Sequence, residues 1–309
     1  MKILGIGNAI VDVICKVDNN FITQNGLTKS TMKLIFDENE FKKLLSNLKI
    51  EKTVSGGSVA NSIVGISQLG NKVGFIGKVS DDEFGSKYEE GLKNENVEYL
   101  YSKKKEKLPT GTCLILVTPD SERTMCTFLG IAGNINENDV NSDAIKKSEL
   151  IFLEGYLWDE GDPKKAFDKA IKSAKKVAMS LSDQFCVDRH KSHFLELVKY
   201  KLDITFANEQ EMRSLIDAKN FDDIVNFSRQ INKLVVITRG EKGAVAILGE
   251  NIIEFGVQKN LKIVDLTGAG DLFAAGFLHG YINRLSIKES LEKGTELSSK
   301  IIQQIGARL

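Results

Sequence analysis

The sequence predicts an α/β fold, with a central, mostly parallel sheet that carries helices on both faces and a small β-sheet lid. Three observations lead there. Short β-branched runs alternate with amphipathic stretches over most of the chain, which is the pattern of βαβ units. Two places break that rhythm with pairs of strands and no helix between partners, and residues 268–306 read as two consecutive helices.

In chain order, Ile3–Gly7, Lys72–Ile76, Leu150–Leu153, Val177–Leu181, Asp203–Phe206 and Leu234–Thr238 have the continuous apolar character of strands buried on both faces. Between them lie amphipathic stretches: Asp37–Leu48, Ser58–Leu69, Asp82–Lys93, Lys164–Lys175, Val187–Lys199 and Glu209–Ile216. Val11–Val17 with Met32–Phe36, and Thr112–Val117 with Met125–Leu129, are the two strand pairs, the second turned by Pro119-Asp120-Ser121-Glu122. They predict a lid from about 11–36 and 111–130 over one edge of the main sheet, within a single domain spanning 1–309. Gly268–Tyr281 and Ile287–Gly306 are the closing helices.

Composition narrows the function. With 309 residues, 42% of them apolar and 27% charged, the chain is neither disordered nor dependent on disulfides for a core. Lys+Arg and Asp+Glu both number 42, so there is no global positive field for nucleic acid or an anionic membrane, and neither partner is expected. The run Lys103-Lys104-Lys105-Glu106-Lys107 reads as a solvated loop. Cys15, Cys113, Cys126 and Cys186 lack metal or disulfide spacing and suit a reducing cytosol. The apolar run after Met1-Lys2 is interrupted at Asn8 and Asp12, and no run reaches the roughly 18–20 apolar residues a bilayer requires. A cytoplasmic protein is expected.

Four segments carry chemistry. The first is Asp265-Leu266-Thr267-Gly268-Ala269-Gly270-Asp271, opening an apolar helix. Small residues leave backbone N–H groups unobstructed at the positive end of the helix dipole, a site for an anion or for charge developing in a reaction. Asp271 either caps that helix or takes a proton from a hydroxyl attacking a bound phosphate. The second is Gly56-Gly57-Ser58-Val59-Ala60-Asn61, where paired glycines admit a close ligand and Asn61 offers donor and acceptor; a plain glycine-rich helix start is the alternative. The third is Asn208-Glu209-Gln210-Glu211 after a buried strand. It reads as a capping box and equally as a holder of a hydrated divalent cation. The fourth, Thr238-Arg239-Gly240-Glu241-Lys242-Gly243-Ala244, is a turn between strands or a wrap for the phosphates of a nucleotide.

Other motifs are weaker. Gly5-Ile6-Gly7-Asn8-Ala9-Ile10 has Ile where a dinucleotide fingerprint needs its third glycine, and a strand follows in place of a helix. His190 and His193 beside Cys186 lack a spaced fourth ligand and read as exposed helix residues, and His279 as a packed one. Tyr156 and Trp158 offer rings either to a ligand or to the core.

In order and spacing, the four segments resemble the ribokinase-like (PfkB) family of carbohydrate and nucleoside kinases, from Gly5 to Arg308. Gly56–Asn61 resembles its N-terminal signature and Asp265–Gly276 its C-terminal one, with the D-x-x-G-A-G-D core intact. The resemblance implies the ribokinase-like fold, ATP and magnesium as cofactors, and transfer of the γ-phosphoryl group to a primary hydroxyl of a small molecule. It implies Asp271 as catalytic base and Gly268, Ala269 and Gly270 as anion hole. It places Asn208 and Glu211 at phosphate and magnesium, the latter through water, with Thr238, Gly240 and Gly243 in the nucleotide turn. Asn8, Asp12, Gly56, Gly57 and Asn61 fall at the acceptor, and Asp265 and Thr267 where many members bind a monovalent cation, often potassium. Within the family, Gly7–Asp12, Glu122–Gly130 and Gln303–Arg308 most resemble adenosine kinases, which makes Arg123 a candidate for reaching the transferred phosphate from the lid. Leu157 and Thr295 depart from that pattern. Adenosine is the expected acceptor, a ribokinase- or fructokinase-type sugar kinase the alternative, and a catalytically silent ligand-binding relative the third. A monomer or homodimer fits.

Overall fold

The structure, a computed structural model, describes residues 1–120, 122–158 and 163–309; Ser121 of the predicted turn lies outside the described residues. The chain starts with β1 (Ile3–Ile6) and crosses into β2 (Ile10–Lys16), α1 (Asn19–Gln24), β3 (Met32–Leu34), α2 (Glu38–Ser46) and β4 (Ile50–Gly56). Then come α3 (Ser58–Gln68), β5 (Val73–Ile76), α4 (Glu83–Asn94), β6 (Val97–Tyr99), β7 (Gly111–Val117) and β8 (Arg123–Phe128). The alternation resumes with α5 (Ser142–Lys147), β9 (Leu150–Glu154), α6 (Pro163–Ser173), β10 (Val177–Ser180), α7 (Gln184–Glu196), β11 (Ile204–Asn208), α8 (Glu209–Ile216) and α9 (Phe221–Ile231). β12 (Leu234–Thr238), β13 (Ala244–Leu248), β14 (Asn251–Phe255), α10 (Ala269–Ile282) and α11 (Ile287–Ile301) complete it.

Nine strands form the large sheet in the order β14-β13-β12-β11-β10-β9-β1-β5-β6. It is parallel from β6 to β12 and antiparallel at β13 and β14. Its central strands have no polar face because helices cover both sides, and two apolar clusters result. Ile3, Phe152, Phe206 and Val236 pack against α3 and α10, while Leu4, Leu153, Met179 and Val235 pack under α6 to α9. Parallel pairing places the ends of β1, β9, β11 and β12 along one edge, where Asn8, just after β1, gathers with the strand-terminal residues Glu154, Asn208 and Thr238.

The small sheet departs from expectation. It has five strands in the order β3-β8-β7-β2-β4. β2 pairs with β7 and β4 and not with β3, and α1 stands between β2 and β3, where no helix was expected. β4 escaped prediction because its first half, Ile50-Glu51-Lys52, is an exposed polar edge with no alternation to read. Six-residue α1 is anchored by Asp18, whose side chain accepts from the Phe21 amide at 2.7 Å, and too short to show a period. The final helix also ends early, at Ile301 rather than Gly306, and residues 302–309 turn back toward α3 and the start of α10. No helix among the described residues is long and apolar enough to cross a membrane.

Candidate active site

The site forms where α3 and α10 start side by side. Gly57 caps α3 without a side chain, at φ 103°, and a Cβ there would lie 2.1 Å from the Asn8 carbonyl oxygen. Gly268 caps α10 at φ 78°, and its missing Cβ leaves room for Ala307, whose Cα would be 2.7 Å away. Both positions therefore need glycine for conformation and for close approach.

The amides of α10 are unequal. Ala269 N–H is turned to the Leu266 carbonyl at 3.2 Å, so this member of the expected three-residue anion hole is engaged by the protein itself. The amides of Gly268, Gly270 and Asp271 make no hydrogen bond among the described residues, and the space over Gly270 is open. The positive end of α10 thus presents donors with nothing to receive.

Asp271 sits one turn in, oriented by α3. Ser58 Oγ donates to its Oδ1 at 2.6 Å, Asn61 Nδ2 donates to its Oδ2 at 3.0 Å, and Ser62 Oγ holds its carbonyl at 2.9 Å. Burial raises its affinity for a proton; Ser58, Asn61 and the Arg308 guanidinium oppose that rise. Both donors that hold the carboxylate oxygens come from the first turn of α3.

Across the cleft, Asp12 projects from β2 toward Gly56, where a Cβ would lie 2.4 Å from its Oδ2. The Asp12 carboxylate makes no hydrogen bond among the described residues, and burial pushes it up to about 7 against the attraction of Arg308. The buried Oδ1 of Asn8 likewise has no partner. Two polar groups without partners among the described residues, beside Gly57 and Gly56, fit a ligand rich in hydroxyls.

Glu154 was missed by sequence reasoning. Wholly buried at the end of β9, it accepts from the Asn8 amide at 2.8 Å and the Val59 amide at 3.0 Å, binding the loop after β1 to the start of α3. Burial pushes its carboxyl up to about 7, opposed by the Asn8 and Val59 amides. An apolar strand ending in Glu gave one signal, since a charge there must meet a partner. The partner itself belongs to another segment.

The third and fourth segments lie beside each other, with Asn208 and Thr238 in register on β11 and β12. Asn208 and Glu211 close a full capping box: Glu211 accepts from the Asn208 amide at 3.0 Å and from its Nδ2 at 2.6 Å, while Asn208 accepts from the Glu211 amide at 2.8 Å. Burial pushes the Glu211 carboxyl up to about 7. Gly240 and Gly243 flank a tight turn closed by Arg239 N–H on the Gly243 carbonyl at 2.8 Å. Asp265 is fully engaged: Oδ1 accepts from Thr267 N and Oγ1 at 3.0 and 2.7 Å, Oδ2 from Gly306 N at 2.8 Å and from Arg123 Nη1. Arg123 is thereby fastened from β8 onto the loop before α10. Both Asp265 oxygens thus already accept hydrogen bonds from the protein.

The minor candidates separate from this cluster. Trp158 stacks on Phe167 at 5.5 Å and is core, with Nε1 donating to His193 Nδ1 at 3.4 Å. His279 Nδ1 lies 2.7 Å from Asn71 Nδ2. Among the described residues no cluster of three or more His, Cys, Asp and Glu is arranged to hold a metal.

Known proteins share this architecture. The profile of the pfkB family carbohydrate kinase matches residues 9–309. An adenosine kinase from Sinorhizobium meliloti is 37% identical and superposes with a TM-score of 0.89, covering 100% of this chain and 95% of that one. A probable sugar kinase protein from Rhizobium etli CFN 42 is 36% identical with a TM-score of 0.89, covering 99% and 94%. A 5-dehydro-2-deoxygluconokinase of Clostridium botulinum (strain Eklund 17B / Type B) is 28% identical over 284 residues, 86% of this chain and 84% of that protein.

Proposed function

The chain belongs to the pfkB family of carbohydrate kinases, ATP-dependent phosphotransferases acting on an alcohol, and from that premise we propose that its acceptor is adenosine, phosphorylated at the 5′-hydroxyl. One observation carries the transfer chemistry. A carboxylate held by Ser58 and Asn61 lies at the start of a helix whose Gly268, Gly270 and Asp271 amides are open. Asp271 takes the proton of the acceptor hydroxyl as its oxygen attacks the γ-phosphorus. The bond from that phosphorus to the bridging oxygen breaks, and its electron pair stays on the β-phosphate of ADP. The open amides lie where negative charge on the transferring group needs donors. Asp12 and Asn8 receive the ribose hydroxyls, and Arg123 reaches the phosphate from the lid on leaving Asp265, the carboxylate it holds in this arrangement. Thr238, Gly240 and Gly243 flank the nucleotide phosphates.

Glu211 is the residue that would hold magnesium, through water because both its oxygens already accept from Asn208. When bound, the ion neutralises phosphate charge. Four buried free thiols fit a cytoplasmic setting.

The lid supports a nucleoside over a bare sugar. Register and alternation place Ile10, Cys113, Ile115 and Met125 on the same face of the small sheet as Asp12 and Arg123. That face is apolar around the one carboxylate, as Ile10 and Cys113 pack with Ile115, Met125 and Leu129, and it suits a flat base lying beyond the ribose. A free sugar is the second reading, favoured by the relatives named as sugar kinases. ATP turnover on adenosine, other nucleosides, ribose, fructose and 5-dehydro-2-deoxygluconate distinguishes them. AMP formed from adenosine supports the reading; turnover of a free sugar with none of adenosine overturns it.

A further inference from the structure

Residues 302–309 bring a side chain into the cleft that none of the four sequence segments contains. Arg308 Nε donates to Asn61 Oδ1 at 3.1 Å, and Asn61 Nδ2 in turn donates to Asp271 Oδ2 at 3.0 Å. An amide offers one acceptor end and one donor end, so the guanidinium on Oδ1 leaves only the NH2 end for the carboxylate. The approach of Arg308 does not depend on that bond alone. Gly306 N donates to Asp265 Oδ2 at 2.8 Å, Gln304 Nε2 to the Arg308 carbonyl at 2.7 Å, and Ala307 fills the space beside Gly268. The guanidinium Nη2 is sealed from solvent and has no partner among the described residues.

We propose that Arg308 is a positioning residue of the transfer site: it locks the Asn61 amide, through it the Asp271 carboxylate, and places a permanent cation within reach of both Asp12 and Asp271. The proposal rests on the transfer reading of Asp271 above. Two carboxylates desolvated in one cleft repel each other, and a guanidinium that keeps its proton at neutral pH opposes both effects. The charged and titratable groups around it come from several elements: Asp12 from β2, Asp271 from α10, Tyr88 in α4 and Glu95 just after it. Arg123 from β8 also reaches Asp12, and Glu154 from β9 faces Asp271.

The test uses Arg308→Gln, which keeps a donor for Asn61 but no charge, and Arg308→Lys, which keeps the charge. In R308Q the acid limb of kcat against pH moves up by about one unit, the low end of what an opposite charge at close range produces. At any pH well below the wild-type acid limb kcat then falls about tenfold, one decade of ionised base per unit, while KM for ATP stays within about twofold. R308K returns the acid limb to the wild-type position. A readout without substrate moves in parallel. A carboxylate whose folded pKa is raised loses stability as pH rises toward that value, so the Tm deficit of R308Q against wild type grows from pH 5 to pH 8. An unmoved acid limb with a Tm deficit constant over that range overturns the proposal, as does equal behaviour of the two variants. Wild-type chain inactive on every acceptor sinks the function instead, and the Tm comparison still decides Arg308.

Discussion

Of the helices that begin at the candidate site, α8 and α10 begin in opposite ways. α8 starts with Asn208 and Glu211 holding each other through three hydrogen bonds, so its first turn is closed by its own side chains. α10 starts with Gly268, which has no side chain to cap with, and leaves the Gly270 and Asp271 amides without a hydrogen bond among the described residues. A box of the first kind is worth about 1 kcal/mol of helix stability and turns ligands away from the backbone. An uncapped start forgoes that stabilisation and keeps its donors for an anion. On the proposed function, α8 can offer a ligand only side chains, whereas α10 can offer open backbone amides beside the Asp271 carboxylate.

Substitutions that exchange or remove these features test the contrast. Asp271→Asn is expected to have the largest effect, lowering kcat by about 10²–10⁴-fold, the range of a lost general base, with ATP binding largely kept. Steady-state kinetics together with calorimetric titration of ATP check it; a rate within a few-fold of wild type would remove Asp271 from the chemistry. Gly270→Ala comes next. The methyl enters open space, so Tm holds or rises, since Ala favours a helix over Gly by up to about 1 kcal/mol. The rate falls about 10²-fold because the methyl crowds a donor for the phosphoryl group. An unchanged rate shows that the amide of α10 does not face the transferred group.

Glu211→Gln is smaller. With magnesium held through water, the concentration giving half-maximal rate rises about tenfold, the lower end for outer-shell partners of a metal. A magnesium titration that superposes on wild type makes the box a cap and nothing more. Asn208→Ala is smallest, costing about 1 kcal/mol and about 1–2 °C of Tm in a chain of this size. A thermal melt reads it, and a loss far beyond that range means Asn208 supports more than α8.

Much of this contrast is legible from the residues. Gly-Ala-Gly before an apolar run announces an open helix start, and Asn-x-x-Glu after a buried strand announces a box, because both are local chemistry over four residues. Glu154 and Arg308 are a different case. Each is a single charge in an ordinary setting, and each matters through a partner distant in sequence: Glu154 and Val59 are 95 residues apart, Arg308 and Asn61 are 247 apart. The end of α11 was misread for a related reason. The segment after Ile301 keeps a helical composition, and it leaves the helix to meet Asp265 and Asn61, which no local propensity reveals.

The sequence by itself determined the parallel sheet, its covering helices, the family signatures and the residue types at both helix starts, because apolar periodicity and glycine placement act over a few residues. The tertiary structure alone decided which strands of the small sheet pair, that Asp265 is engaged by Arg123 and Gly306, and that Asp271 is aimed by α3. Those outcomes depend on which chain segments meet once the core has closed. A side chain's electrostatic surroundings are set by neighbours in space, and the linear order of residues does not name them.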